Sequence, residues 1–224
     1  MKRFPLAWIV LAALLVAAPA LAGTAQFGIG GFAGYNTYSM NDVNDLFSGT
    51  QIDEISGGLG FGGGLRVRTS PSLLLSLDYE RLSGNTSAAG VDNGITYDVD
   101  LDMPANAVVA GATYFFPSAS KAHFGVTGGI GYYKAAGSGT VSLDDGVNNV
   151  TFTGDLTGNG IGFHGGGALD YSLSPVAHFE AMAGYRVAKT GDLEDSDGTS
   201  IPNFSAEWSG FMSRAGFSFF FGSH

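Results

Sequence analysis

The chain has 224 residues, 10 Lys+Arg against 20 Asp+Glu for a net charge of −10, and no cysteine. That balance excludes the basic stripe a nucleic-acid binder needs, and it excludes a disulfide frame, so hydrogen-bond ladders and packing must hold the fold. Glycine, at 36 residues, exceeds twice the usual share of about 7%, without a Gly-X-Y period.

Lys2 and Arg3 open the chain, the run Trp8 to Ala18 is apolar, and Pro19-Ala20-Leu21-Ala22 ends in a small-x-small site. This pattern predicts a secretory signal peptide over 1–22, cut after Ala22. The apolar run is short for a membrane anchor of about 20 residues. Removing Lys2 and Arg3 takes the charge from −10 to −12 over residues 23–224, which are expected to form a single domain.

Beyond residue 22 no run approaches the length of a transmembrane helix. Period-2 alternation instead predicts eight strands, at 25–36, 57–68, 72–82, 104–116, 122–134, 159–171, 176–187 and 207–221. The connections alternate in length. Three are tight (Thr69 to Pro71, Pro117 to Lys121, Ser172 to Pro175) and four are long (37–56, 83–103, 135–158, 188–206). Short turns on one side and long loops on the other are the habit of an outer-membrane β-barrel, with both termini on the periplasmic side. A chain crossing lipid without helices must close a barrel, because every backbone group needs a partner. The predicted fold is therefore all-β: an eight-stranded, antiparallel, up-and-down transmembrane barrel.

The faces agree. In 57–68, Leu59, Phe61, Leu65 and Val67 alternate with glycines, Arg66 and Arg68. In 176–187, Phe179, Ala181, Ala183, Tyr185 and Val187 alternate with His178, Glu180 and Arg186. The apolar face is expected to meet lipid and the polar face the lumen. In 104–116 both faces are apolar around Val108 and Val109. Outward aromatics fall into two girdles. Tyr114, Phe116, Phe124, Tyr171, Phe179, Phe219 and Phe221 lie near the turns, and Tyr35, Tyr79, Tyr132, Phe163 and Tyr185 near the loops.

The signal peptide, the eight-strand pattern and the ending Trp208-Ser209-Gly210-Phe211 … Phe217-Ser218-Phe219-Phe220-Phe221 resemble the small outer-membrane barrels of the OmpA, OmpX and Ail type, including opacity-type porin domains. The resemblance covers nearly all of residues 23–224. It implies a bacterial outer-membrane location and an ending read by the barrel-assembly machinery, with Phe217, Phe219 and Phe221 as the assembly signal. It specifies fold more than function.

Eight strands leave an interior that side chains just fill. The expected lumen holds Arg66, Arg68, Arg186 and Arg214 against Asp78, Glu80, Asp170 and Glu180, four cations facing four anions. Arg66, Arg68, Asp170, Glu180, His123 and His178 are expected low, and Asp78, Glu80, Arg186, Arg214 and His164 in the middle or above. Inward glycines give long side chains room to cross. The charges either seal the lumen as a plug or line a narrow porin-like channel for small solutes or ions.

His178 and Asp170 are expected opposite each other across the turn 172–175. The pair reads as a lumen salt bridge rather than a catalytic base, since no nucleophile accompanies it. The three inward histidines fall on three strands, which argues against a metal site. His123-Phe-Gly, His164-Gly-Gly and His178-Phe-Glu lack the His-x-Ser pair of lipid A deacylase barrels. No catalytic residue, enzymatic activity or cofactor is expected.

Of the 20 acids, 15 fall in the four long connections, with Lys189 as the only base among them. Asp192, Glu194, Asp195 and Asp197 resemble half of a calcium loop, though the register places Leu193 at the first ligand position. These loops are expected to carry the function of a structural or surface-interaction protein. Expected partners are outer-membrane lipid and lipopolysaccharide, and divalent cations bridging its phosphates, with the barrel itself a monomer. Met40, Val43 and Phe47 share a helical face and predict a short helix over the rim.

Overall fold

A computed structural model describes residues 25–45, 53–92, 95–144, 146 and 148–221; the signal peptide expected over 1–22 lies outside them. Ten strands form: β1 Gln26–Thr37, β2 Gly57–Ser70, β3 Leu73–Leu82, β4 Asn85–Asp92, β5 Ile95–Asp102, β6 Ala105–Phe115, β7 Ala122–Asp144, β8 Asn149–Ser172, β9 Ala177–Ala188 and β10 Gly210–Phe221. Eight of them close a ring in the order β1–β2–β3–β6–β7–β8–β9–β10, and β10 returns to β1 from Phe27↔Phe221 to Asn36↔Met212. All ring pairings are antiparallel. Closure leaves no open edge in lipid.

The lateral surface is apolar. Phe27, Ile29, Leu59, Phe61, Leu65, Phe124, Val126, Ile130, Ile161, Phe217, Phe219 and Phe221 all point away from the lumen and are exposed. Tyr114, Phe116 and Tyr171 lie at the turn end, and Tyr35, Tyr79, Tyr132, Phe163 and Tyr185 at the loop end. In water this surface would be an aggregation hazard; in lipid it is the solvated face.

Two long connections are not loops. The segment 83–103 folds as the hairpin β4–β5, and 135–158 continues the ladder of β7 and β8 up to Asp144↔Asn149. β5 then pairs with the upper half of β7, from Asp102↔Ser138 to Thr96↔Asp144. A four-stranded sheet, β4–β5–β7–β8, therefore stands above the ring.

Along β7 and β8 the polarity of the two faces inverts. Low on β7 the outward residues are Phe124, Val126, Ile130 and Tyr132; from Lys134 upward they are Lys134, Ser138, Thr140, Ser142 and Asp144. On β8 the outward Ile161, Phe163, Leu169 and Tyr171 give way to Asn159, Thr157, Asp155, Thr153 and Thr151. The inward face changes in the opposite sense, from His164 and Asp170 to Leu156, Phe152 and Val150. A strand pair has apolar outside only where lipid is outside, so the outer membrane boundary lies between Tyr132 and Lys134 on β7 and between Ile161 and Asn159 on β8.

The loop end of the ring is filled. A short helix, α1 (Asn41–Asn44), sits in the mouth. Met40 and Val43 pack with Tyr38, Ile55, Leu82, Met103, Tyr133, Leu193 and Trp208 in one buried apolar cluster. Met40 takes a left-handed backbone, φ 39°, at a cost of about 1 kcal/mol or more for a non-glycine residue. Full burial of its side chain, about 1.5–3 kcal/mol, offsets that. Phe47, the third residue of the expected helical face, lies outside the described residues. Residues 207–209, expected as strand, belong to this plug, and β10 starts at Gly210. The plug also accounts for the two apolar faces of 104–116: Val108 meets lipid, while Ala105, Ala107 and Val109 meet the plug.

Candidate functional site: the charged lumen and the outer sheet

Below the plug, the nine expected lumen residues all point inward; the four arginines and four carboxylates make ion pairs, and His178 hydrogen-bonds to Asp170. They form three tiers where counting from the turns implied two. In the upper tier Arg186 Nη2 donates to both Glu80 oxygens, at 2.8 and 2.7 Å, and its guanidinium lies 5.6 Å from the Tyr133 ring. In the middle tier Arg66 pairs with Asp78 and, through Nε at 3.2 Å, with Glu180. Arg214 Nη1 approaches Asp78 at 3.6 Å and stacks 4.4 Å over Phe32. In the lower tier Arg68 lies 3.2 Å from Asp170, which also accepts from His178 Nδ1 at 3.0 Å. Arg66, expected low, thus ties the middle tier to Glu180.

Glycine makes room for these contacts. A Cβ on Gly30 would lie 2.6 Å from Ser218 Oγ and 3.1 Å from Arg66 Nη2. One on Gly60 would lie 2.7 Å from Asn36 Nδ2 and 3.3 Å from Glu80 Oε1. Such approaches would force the charged side chains out of place.

Apolar side chains close the turn end as well. Leu74, Phe115 and Phe220 are buried together across the lumen. The Arg68 guanidinium stacks over Phe220 at 4.8 Å, and the His178 ring meets Phe220 edge-on at 5.1 Å. Phe220 is a lumen residue that the outward Phe219 and Phe221 on either side conceal in the sequence; its inward parity is the available signal. Between the lower and middle tiers lies a cavity of about 40 Å³ touching Arg66, Glu180, Arg214, Thr113 and Thr127, enough for about three waters. Glu180, which lines the cavity, has its Oε1 buried without a protein partner, and such waters would satisfy it.

His178 and Asp170 are not directly opposite. The register pairs Asp170 with Glu180 and Ser172 with His178, so the His–Asp contact is diagonal. Ser172 Oγ comes within 3.4 Å of His178, but at Nδ1, the nitrogen that already meets Asp170. A nucleophile relay needs serine and carboxylate on opposite ring nitrogens, and this arrangement lacks it. His123 pairs in register with Asp170 on β8, and His164 sits buried beside Gly129. The three histidines do not converge.

The calcium-loop residues are also not brought together. Asp195 Oδ1 accepts from the backbone of Asp197 and Thr199, at 3.0 and 2.8 Å, closing a turn. Glu194 pairs through its backbone with Thr157 and Ser200, while Leu193 is buried in the plug. Among the described residues no group of three acids or histidines could hold a metal ion. The register fails because Leu193 is a core residue, not a ligand position.

One carboxylate of the loops has a structural task. Asp42, on α1, accepts hydrogen bonds from the Ser205 backbone at 3.1 Å and from its hydroxyl, with Lys189 Nζ at 3.7 Å. The Ser205 hydroxyl, then Lys189, holds the Asp42 carboxyl below its ordinary range. The contact fastens the plug helix to the β9–β10 connection.

The closed ring, lipid-facing girdles and charged interior agree with the sequence comparison. Residues 8–209 match the outer membrane protein beta-barrel domain. The chain belongs to that family. Solved structures similar to it include a major outer membrane protein from Thermus thermophilus, at 13% identity and TM-score 0.49, covering 88% of this chain and 100% of that one. OprG from Pseudomonas aeruginosa has 12% identity and TM-score 0.47, covering 89% and 96%. The Ail attachment invasion locus protein of Yersinia pestis has 13% identity and TM-score 0.39, covering 88% and 97%. Comparison with curated proteins gives no match.

Proposed function

We propose that this barrel is a non-conducting, non-enzymatic surface protein of the bacterial outer membrane, and that its interactions are made by the outer sheet and acidic loops. The observation that carries this reading is closure at both ends: the plug around Trp208 above and Leu74, Phe115 and Phe220 below, with paired charges between. A path for ions would have to break buried pairs in three successive tiers. Removing one partner of such a pair costs about 3–5 kcal/mol.

Planar-bilayer recording of the refolded protein tests this reading against a narrow channel. The expected result is a conductance indistinguishable from the bare bilayer. Reproducible unitary steps would overturn the reading in favour of a channel for small solutes or ions. Mass spectrometry of lipid A from cells expressing the protein tests the non-enzymatic part, and a modification appearing only with expression would count against it.

On the same reading, Phe217, Phe219 and Phe221 form the assembly signal, residues 1–22 are removed on export, and lipopolysaccharide surrounds the upper barrel. Divalent cations would act between loop carboxylates and lipopolysaccharide phosphates rather than in a coordination site. Calorimetry with Ca²⁺ and Mg²⁺ should then show no heat for the protein alone at millimolar metal.

A further inference from the structure

The outer wall of the barrel carries a short row of cations at the height where lipid ends. Residues 23–224 hold the 10 bases of the chain less Lys2 and Arg3. Four arginines pair in the lumen, Lys189 engages Asp42, and Lys121 lies at the turn end, just before β7. The remaining two, Arg81 and Lys134, alternate with the inward residues of β3 and β7 and so face outward. Neither makes an ion pair with a described residue. The register brings them into one row: Arg81 on β3 pairs with Asn106 on β6, and Asn106 pairs with Lys134 on β7. The outward row directly below is Tyr79, Val108 and Tyr132, the exposed upper rim of the lipid face.

The middle of the row is prepared for an acceptor. Tyr79 Oη donates to Asn106 Oδ1 at 2.6 Å. That bond turns the amide oxygen toward Tyr79 and leaves Nδ2, with two protons to give, directed away from it. Neighbouring strands lie about 4.8 Å apart, so the Arg81 and Lys134 backbones stand about 10 Å apart with the shorter Asn106 between them. Two long side chains at that spacing can close over a group seated on the amide. On β5 and β8 the next outward carboxylates, Asp102 and Asp155, flank Ser138. They stand four residues above Lys134, about 13 Å along the strands, which exceeds the screening length of about 8 Å at physiological salt. They therefore neither neutralise the row nor repel an anion on it. Three donors, two of them cationic, suit a phosphomonoester, which carries a charge of about −1.5 to −2 and three strong acceptor oxygens.

We propose that Arg81, Asn106 and Lys134 form a binding site for the phosphomonoester headgroup of an outer-leaflet lipid, whose acyl chains lie against Tyr79, Val108 and Tyr132. Arg81 and Lys134 supply charge from either side, and Asn106 Nδ2 donates between them. Tyr79 is a positioning residue that fixes the amide. The height of the row selects a lipid over free phosphate, because the apolar rim begins one residue pair below it. The site rests on the outer-membrane placement in the reading above and not on the sealed lumen, so a conducting barrel would leave it intact.

The test is native mass spectrometry of the refolded full barrel in maltoside micelles, which hold no phosphate. The probe is monophosphoryl lipid A, titrated beside the same lipid with its phosphate removed, phosphatidylglycerol and inorganic phosphate. The expected result is a single saturable lipid adduct. Removing the phosphate should weaken it about tenfold or more, the worth of hydrogen bonds to a charged group. Phosphatidylglycerol, a phosphodiester with one charge, should bind several-fold more weakly, and inorganic phosphate should not displace the lipid. Arg81→Gln and Lys134→Gln should each weaken the adduct about fivefold, as expected for one base at a membrane surface, while Lys134→Arg keeps it. Asn106→Leu and Tyr79→Phe should weaken it several-fold without changing any charge. All these side chains lie on the outer wall, so the variants should keep the heat-modifiable gel shift, which separates lost binding from lost folding. Equal affinity for the dephosphorylated lipid would overturn the proposal, as would wild-type affinity in the Arg81→Gln, Lys134→Gln double variant. Unchanged binding in both Asn106→Leu and Tyr79→Phe would overturn it too, by reducing the row to unspecific attraction between bases and anionic lipid. Displacement by inorganic phosphate would refute the lipid as the occupant.

Discussion

Removing the Glu80 carboxylate should be among the most destabilising single changes available in this barrel. Arg186 has a side chain only 1% exposed and Glu80 one only 3% exposed. The guanidinium gives both its Nη2 bonds to that carboxylate, while Nε and Nη1 have no other protein partner. Unit charges about 4 Å apart attract by about 4 kcal/mol at an effective dielectric near 20. Breaking a buried pair from one side costs about 3–5 kcal/mol by a different route, the stranding of its partner. The two figures agree, so Glu80→Ala should lower unfolding stability by about 3–5 kcal/mol. Glu80→Leu combined with Arg186→Leu should recover most of the loss, because a buried pair replaced by apolar side chains is near neutral. The assay is reversible urea unfolding in lipid vesicles, read by tryptophan fluorescence. Trp208 is the only tryptophan of residues 23–224 and sits in the plug directly above the pair. A loss under about 1 kcal/mol for Glu80→Ala would refute the argument that this pair is buried and dry. A double variant as unstable as the sum of its single changes would refute the claim of coupling.

The polarity inversion predicts that one face of the barrel tolerates charge in one half only. Leu65→Arg, on the lipid face between the girdles, should cost about 2–4 kcal/mol, whereas Thr140→Arg, outward but above Lys134, should cost under about 0.5 kcal/mol; both are read by urea unfolding. Gly30→Val should cost about 1–3 kcal/mol, because its side chain enters the space of Ser218 Oγ and Arg66. The heat-modifiable gel shift should persist at reduced midpoint temperature. The plug should loosen in acid. The folded Asp42 carboxyl titrates below its unfolded value of about 3.9, so its contribution is present in full above that value and is lost as pH falls through the folded pKa. Trp208 emission should therefore be flat from pH 7 to 5 and shift red below about pH 4. Ser205→Ala should move that onset upward, and an unchanged onset would deny the role of the Ser205 hydroxyl.

The barrel is legible in the sequence because lipid imposes a simple rule on strands such as 57–68: apolar residues out, everything else in. The lumen charges follow from the same parity. The rule fails where lipid ends. Outward apolar alternation stops at Tyr132, so residues 135–158 read as a loop, yet the strand continues with its faces exchanged. The alternation of Thr151, Thr153 and Asp155 against Val150, Phe152 and Leu156 is visible, but only as the pattern of a water-facing sheet. The plug is harder to read. Leu193 looks like an interruption in a calcium motif, and Trp208 like part of a strand. Both are core residues, recognisable only once the ring brings Tyr38, Tyr133 and Leu193 to one end.

The inversion also says how far the protein reaches. From Tyr132 to Asp144 β7 adds 12 residues, about 40 Å of chain at about 3.4 Å each. A barrel tilt of about 35–45° leaves about 30 Å of height. That exceeds what a turn needs to reverse two strands. The strand pairing costs conformational entropy at every residue, and no lipid-facing surface is gained in return. Its inward face carries more apolar surface than the plug can cover. A sheet kept rigid by 11 aligned pairs between β7 and β8, from Lys134↔Asn159 to Asp144↔Asn149, presents a fixed surface at a fixed height. Above the membrane a flexible loop would suffice for solubility alone. Order there is what a recognition surface requires, because a preformed site avoids the ordering cost of binding.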